Sequence, residues 1–354
     1  MVPNDITRRP GQSVVVSDEL MATFEHGARV SDKALSAKTR KEYAGHWKAF
    51  EEWCERNGAT ALPTTWETAW AYLSARHKDG LSVATLQVIR AAITQKHRAL
   101  PPKAEGRDLD LHNTYIRTLL QGARRQATED GRRTNKATPF LVTDYLDLVK
   151  IIGTSTDLED KRDLALLGLG LVRALRGPSE LLALDHAVAG KGARGALVLN
   201  DDHGLVKLRI SKTRQSGDGE DLRVEDGVAL QAVRAWVAAA VIVPGRPLFR
   251  AIRKGVVSED RMAQRTLHEI IQRRAKQLVR WRNPMMSTTE AEQIAAGYST
   301  HSLRRGALTS LGKDGATLAE LLDLGRHSPK SASVVLGYVE PEHAGAKRMR
   351  KLGI

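Results

Sequence analysis

Apolar positions recur at helical spacing through most of the chain and give way to strand-like alternation over one short interval. After Ser36, Tyr43, Trp47, Phe50 and Cys54 follow one another at steps of four, three and four, which predicts an amphipathic helix stopped at Asn57-Gly58. Cys54 lies on that apolar stripe and reads as a core residue. Thr64 with Glu67 forms a capping-box pattern ahead of a second helix carrying Trp66, Trp70 and Leu73, closed by Gly80. Ser82 can cap a third, with Leu86, Ile89 and Ile93 on one face and Pro101-Pro102 as its stop. A fourth is expected from about Leu111 to Gln126, with Tyr115, Leu119 and the basic pair Arg124-Arg125. Four short helices of this kind make a compact helical module. Residues 1–30 are polar, hold Pro3, Pro10 and Gly11, and predict a flexible arm or a short helix near DELMATFEHG.

The stretch ATEDGRRTNKATP has no apolar period and predicts a linker, placed at residues 129–138. Helices are expected again near Thr143 to Ile152 and Asp160 to Leu175, where DLALLGLGLVRAL is apolar enough for a central core helix. GALVLN, GLVKLRI and DLRVED are then short β-rich runs separated by the turn formers DDHG and QSGDGE, which predicts a small antiparallel sheet. Helices return over about Val228 to Val241, from Arg261 to Val279, and through the closing region. The expected fold is mainly α: an arm at 1–30, a helical domain at 31–128, the linker, and a mostly helical domain with a small sheet at 139–354.

Composition narrows the partners. The 354 residues suggest about two domains, and 42% hydrophobic content is enough to build real cores. The formal net charge of +14 is spread along the whole length, so a polyanion, most simply nucleic acid, is the expected partner through counterion release. One cysteine excludes an intramolecular disulfide framework and a Cys-rich zinc site, in keeping with a reducing cytoplasm. No run reaches membrane-spanning length, and MVPNDITRRPGQ lacks the apolar core of a signal peptide. There is no phosphate-cradling G-x-x-x-x-G-K-[ST], no H-E-x-x-H and no tight carboxylate cluster, so neither an ATP nor a metal cofactor is expected.

Candidate chemistry concentrates between Thr300 and Tyr338. In THSLRRG, His301 and Arg304 stand three apart, so a helix there would project both from one face toward one anion. The segments ALRGPSELLAL, SKTRQSG, THSLRRG and VLGYV, in that order, resemble the first arginine box, hairpin lysine, H-x-x-R box and nucleophile box of the tyrosine recombinase (phage integrase) family, of the Cre/Xer-like kind. SAKTRKEYAGHWKAFEEWCERNG and the helical segments after it resemble that family's core-binding, SAM-like domain. The likeness runs from about residue 31 to the end. It departs in two places: Gly177 and Pro178 both stand before Ser-Glu-Leu where the family usually has one residue, and the interval from His327 to Tyr338 is longer than usual.

The resemblance implies roles that make chemical sense. Arg176 and Arg304 would clamp the phosphate, since guanidinium groups stabilise charge growing on nonbridging oxygens. Tyr338 would be the nucleophile and Lys212, at the tip of the expected hairpin, the general acid for the leaving oxygen. His301 would assist as acid or base, and His327 would donate to the phosphate. Read without the resemblance, Arg176 could equally pair with Glu180, Arg173 could take its place, and Tyr298 near His301 is the rival nucleophile. The family implies a site-specific DNA recombinase: a homotetramer on duplex DNA with an inverted-repeat site, a 3′-phosphotyrosyl link and a Holliday junction, with the tail after Tyr338 packed on a neighbouring protomer. A cytoplasmic, nucleoid-associated protein of a bacterium, phage or plasmid is the expected setting. The other readings are a type IB topoisomerase-like DNA relaxing enzyme and a catalytically inactive DNA-binding regulator of the same fold.

Overall fold

The computed structural model describes residues 22–23, 26, 35–100, 106, 108–131, 136–190, 193–209 and 219–338. The chain divides into two compact units, Met1–Thr134 and Asn135–Ile354.

The first unit is built from α1 (Ala37–Arg56), α2 (Trp66–Lys78), α3 (Val83–Arg98) and α4 (Thr114–Glu129). Each opens on a polar side chain that accepts from a backbone amide three residues on: Ser36, Thr65, Ser82 and Asn113. The α2 cap is thus Thr65 and not Thr64. The Thr64 amide is already engaged, donating to Nε2 of the fully buried His97 at 3.0 Å. Trp47, Phe50, Tyr72, Leu86, Ile89, Ile93 and Ile116 fill the core around Cys54. The cap positions also set helix phase. Ala69, Tyr72 and Leu73 point inward on α2, while Trp70 is 41% exposed. On α4 the buried face is Ile116, Leu120 and Ala123, and Tyr115 lies outside, stacked on Trp66 at 4.6 Å.

The second unit is organised on α6 (Leu158–Val172), which follows α5 (Val142–Ile152) and is buried on every side from Leu164 to Leu171. Glycines let neighbours approach it. A Cβ on Gly170 would lie 2.7 Å from Leu303, and one on Gly168 2.5 Å from the Tyr145 hydroxyl. The helix stops three residues short of the expected Leu175 because Ala174 turns left-handed, at φ 45°. Leu175 N–H then bonds Gly170 C=O and Ala174 N–H bonds Leu171 C=O, a Schellman turn that sends Arg176 away from the helix axis.

A short 3₁₀ turn leads to the sheet β1 (Leu184–His186), β2 (Gly195–Leu199), β3 (His203–Leu208), β4 (Glu220–Glu225), in that spatial order. The sheet is mixed, not purely antiparallel. β1 pairs with β2 in parallel, Leu184 opposite Gly195, whereas β2–β3 and β3–β4 are antiparallel. Leu197, Val206, Leu222 and Val224 alternate toward α7 (Val228–Ala239), whose Trp236 is fully buried with its indole N–H on Leu248 C=O at 2.8 Å. A second hairpin not expected from the sequence, β5 (Arg250–Arg253) and β6 (Val256–Arg261), ends on Arg261, so α8 (Gln264–Arg282) starts three residues after the expected Arg261.

The remaining helices are α9 (Thr288–Ala295), α10 (Ser302–Lys313), α11 (Leu318–Leu324) and α12 (Ala332–Leu336). Capping boxes at Ser287/Glu290 and Thr317/Glu320 start α9 and α11. Gly306 of α10 lies directly against the Phe140 backbone, which leaves no room for a side chain there. Among the described residues no helix is long and apolar enough to cross a membrane. Most of the arm at 1–30 and the tail after Tyr338 lie outside the described residues.

Candidate active site

The centre of the site is Arg304, on the first turn of α10 and only 2% exposed. Its Nη1 donates to Ala174 C=O at 2.8 Å, and its Nη2 donates to Gly325 C=O. Those two carbonyls end the turns that close α6 and α11. One guanidinium therefore caps two helix C-termini, where unpaired carbonyls and the helix dipoles favour a cation. The group is fixed before any ligand arrives. Burial first, then the neighbouring Arg176 and Arg326, push the Arg304 pKa down to about 10, so the group keeps its charge at neutral pH.

The same Nη2 lies 3.0 Å from His327 Nε2. Since guanidinium only donates, His327 accepts through Nε2, which places its own proton on Nδ1. Burial and the charges of Arg304, Arg176 and Arg326 lower the His327 pKa to about 4, which keeps the ring neutral. Its approach depends on Gly325, where a Cβ would lie 2.5 Å from His327 Cδ2. On the other side the His327 ring is 6.2 Å from that of Tyr338, centre to centre. Tyr338 follows α12, partly buried against the apolar cluster of Leu308, Leu321 and Val335, with its carbonyl accepting from Thr309 Oγ1 at 2.7 Å. The interval between His327 and Tyr338 holds a 3₁₀ turn, Pro329–Ser331, followed by α12.

Arg176 stands beside this group and is held by Glu180. Its amide donates to Oε2 at 2.9 Å and its Nη1 to Oε1 at 2.5 Å, while Glu180 is 2% exposed. The pairing with Glu180 and a place beside Arg304 are thus both realised. Arg173 caps α6 and offers its carbonyl to Arg326.

His301 keeps right-handed helical backbone at the N-cap of α10, and its C=O accepts from Arg305 N–H at 3.0 Å. It thus stands one turn before Arg304 as the spacing predicts, but its side chain is exposed where that of Arg304 is buried. It precedes the first turn of α10, is exposed, and lines a cavity of about 460 Å³ with Lys136, Ser299, Arg305 and Tyr338. Tyr298 packs edge-on to Phe140 at 6.2 Å. Burial raises its pKa, with Asp144 adding to the effect, and a raised pKa opposes formation of a phenolate. Lys212 lies outside the described residues.

Sequence reasoning missed Arg326, the last member of the cluster. It is 5% exposed at its side chain, bonds Arg173 C=O through Nη1 at 2.8 Å and Glu180 through Nη2, and pairs with Glu220 at 3.5 Å. Its place beside His327 in GRHSP was the only signal, and that spacing has no distinguishing period. Arg176, Arg304 and Arg326 against Glu180 and Glu220 leave one net positive charge, which suits a phosphodiester.

No protein-family profile matches the chain. In sequence it is 26% identical to an integrase/recombinase xerD homolog of Selenomonas ruminantium, over 90% of this chain and 88% of the relative. It is 22% identical to the recombinase cre of Escherichia phage P1, over 87% of this chain and 85% of the relative. In structure it is similar to the XerH site-specific recombinase bound to palindromic difH substrate in a post-cleavage complex, with TM-score 0.52 at 12% identity over 86% of this chain and 75% of that one. It is also similar to the Tn1549 transposon integrase in complex with transposon right end DNA, with TM-score 0.54 at 14% identity over 90% of this chain and 95% of that one.

Proposed function

We infer that this chain, which resembles the tyrosine recombinases in sequence and carries their fold, is a site-specific DNA recombinase that uses Tyr338 as its nucleophile. The observation that carries this reading is the continuity of the group: a cation-excess arginine cluster bonded to His327, with Tyr338 on the far side of that ring.

In the proposed reaction a DNA phosphate enters against Arg176 and Arg304. The Tyr338 oxygen attacks phosphorus, and the P–O5′ bond breaks. The phenolic proton passes to His301 or to water, and the departing 5′ oxygen takes a proton from Lys212. The product is a 3′-phosphotyrosyl ester and a free 5′-hydroxyl. Attack by a 5′-hydroxyl from a second duplex reverses each bond change and releases Tyr338. One ester replaces another, so bond energy is conserved and no ATP is consumed. Guanidinium groups supply the charge stabilisation that a metal provides elsewhere. Nδ1 of His327 is the nitrogen left to donate to the phosphate, because Nε2 is occupied by Arg304.

The finer assembly follows the family. The helical unit at 31–128 would bind the duplex through phosphate contacts, joined by the linker at 129–138 to the catalytic domain at 139–354. Four protomers would pair two inverted-repeat sites and exchange strands through a Holliday junction, each tail after Tyr338 packing on a neighbour. A nucleoid-associated, cytoplasmic location suits such a substrate. The test is a supercoiled plasmid carrying two copies of a duplex selected for binding, incubated without ATP or divalent metal. Recombinant circles that need both copies are expected. Relaxation that needs no second copy would replace this reading with a topoisomerase, and binding without strand breakage would replace it with a regulator.

A further inference from the structure

We propose that Arg326 is a positioning residue of the reaction, which holds Glu180 so that Arg176 remains available to the phosphate. The inference rests on the recombinase reading of the site and adds to it a residue outside the resemblance motifs.

Three observations carry it. The first is where Arg326 sits. It occupies the left-handed position of the Schellman turn that closes α11, with φ 48°, His327 N–H on Leu322 C=O and Arg326 N–H on Asp323 C=O. Glycine is the usual occupant of that position, because a Cβ there crowds the backbone. Gly325, next to it, stays in the ordinary right-handed region. The turn therefore tolerates strain to place an arginine. The second observation is what the guanidinium reaches: Arg173 C=O at the end of α6, Glu180 beside Arg176, and Glu220 at the start of β4. Three separate elements that surround the site are joined through one planar group, which a single ammonium does not span.

The third is charge. Glu180 holds Arg176 through both carboxylate oxygens, and Oε2 is shared with Arg326. Without Arg326 the carboxylate would face Arg176 alone. The surrounding set would then hold two guanidinium groups and two carboxylates, and the excess charge offered to an anion would vanish. Glu180 would draw Arg176 toward itself at the moment a phosphate competes for it.

The test uses the full-length protein and Arg326→Gly, which suits the left-handed turn and so preserves the backbone. Single-turnover cleavage of a nicked duplex should fall about 100-fold, the loss expected when one transition-state donor is misplaced. DNA affinity should stay within about threefold, because the phosphate contacts that dominate binding lie elsewhere. Adding Glu180→Gln restores the charge excess, so the double variant should cleave at least tenfold faster than Arg326→Gly. Arg326→Lys should fall between wild type and Arg326→Gly. A second readout needs no covalent chemistry: orthovanadate should raise the Tm of wild type and not of Arg326→Gly. Wild-type cleavage with an unaffected Arg326→Gly overturns the positioning role, as does a loss that Glu180→Gln fails to relieve. Absence of wild-type cleavage overturns the recombinase reading, and the vanadate comparison then decides the positioning role by itself.

Discussion

Around Asp163, which has no exposed surface, Arg162, Arg273 and Arg274 converge on one carboxylate, while Arg273 also reaches Glu159 and Arg274 also reaches Asp160. Around Glu180, Arg176 and Arg326 converge in the same manner, with Arg304 beside them and Glu220 at the edge. The first cluster balances three cations against three carboxylates and ties α6 to α8. The second leaves a cation over. Although burial opposes the Arg273 charge, Asp163 and Glu159 outweigh it and hold its pKa above the ordinary value. At Arg304 and Arg326 burial leads and the pKa values are lowered, with the surrounding arginines adding to the effect. Burial of an arginine does not distinguish architecture from chemistry. The charge left uncompensated does.

The largest effects should separate the two clusters by what is lost. Arg274→Ala strips a partner from a fully buried carboxylate and should cost about 3–5 kcal/mol of stability, measured by denaturant unfolding. Cleavage per folded molecule should be unchanged. Arg304→Ala should lower single-turnover cleavage by about 10²–10³-fold, the cost of removing one preorganised donor from a developing oxyanion. If Arg274→Ala lost cleavage while remaining folded, the division between the clusters would fail.

A smaller effect tests the approach of His327. Gly325→Ala brings a methyl group into the space of Cδ2 and should slow cleavage about tenfold, about 1.4 kcal/mol of barrier, with little change in DNA affinity. Equal rates for the two proteins would mean that the ring position does not matter.

The smallest effect concerns pH. His327 is neutral in the folded protein with a pKa lowered from 6.5 to about 4, so protons bind the unfolded chain first. The stability this group contributes is present above pH 6.5 and is lost as pH falls toward 4. The wild-type denaturation midpoint should therefore decline more over that interval than the midpoint of His327→Gln. The nuclear magnetic resonance titration of His327 should likewise show no protonation until the pH nears 4.

How much of this was legible in the sequence depended on whether a feature was local. The α1 stripe of Trp47, Phe50 and Cys54 repeats within one helix, and the structure buries all three. The core helix α6 announced itself by an unbroken apolar run. The cap at Thr65 was misplaced by one residue because two threonines stand side by side, and only His97, far along the chain, decides which amide is free. The parallel pairing of β1 was invisible in three residues whose partner is set by the fold. The hairpin β5–β6 carries RAIR and VVSEDR, with too little alternation to read as strands.

Of the proposed site residues, Arg304, His301 and Tyr338 stand in contiguous motifs, and Arg176 in the pattern that leads to Glu180. The carbonyls that fix Arg304 come from two helix ends far apart in sequence, Ala174 and Gly325. No spacing encodes them. Arg326 was hidden for the same reason, since its meaning lies in a left-handed turn and in partners on three other elements.

The most direct test of the central claim is covalent capture. A nicked suicide duplex that the protein binds is incubated with wild type, Tyr338→Phe and Tyr298→Phe, and the protein–DNA adduct is quantified and mapped by peptide mass. The account predicts an adduct on Tyr338 in wild type and Tyr298→Phe, and none in Tyr338→Phe. An adduct that persists in Tyr338→Phe and disappears in Tyr298→Phe would contradict it.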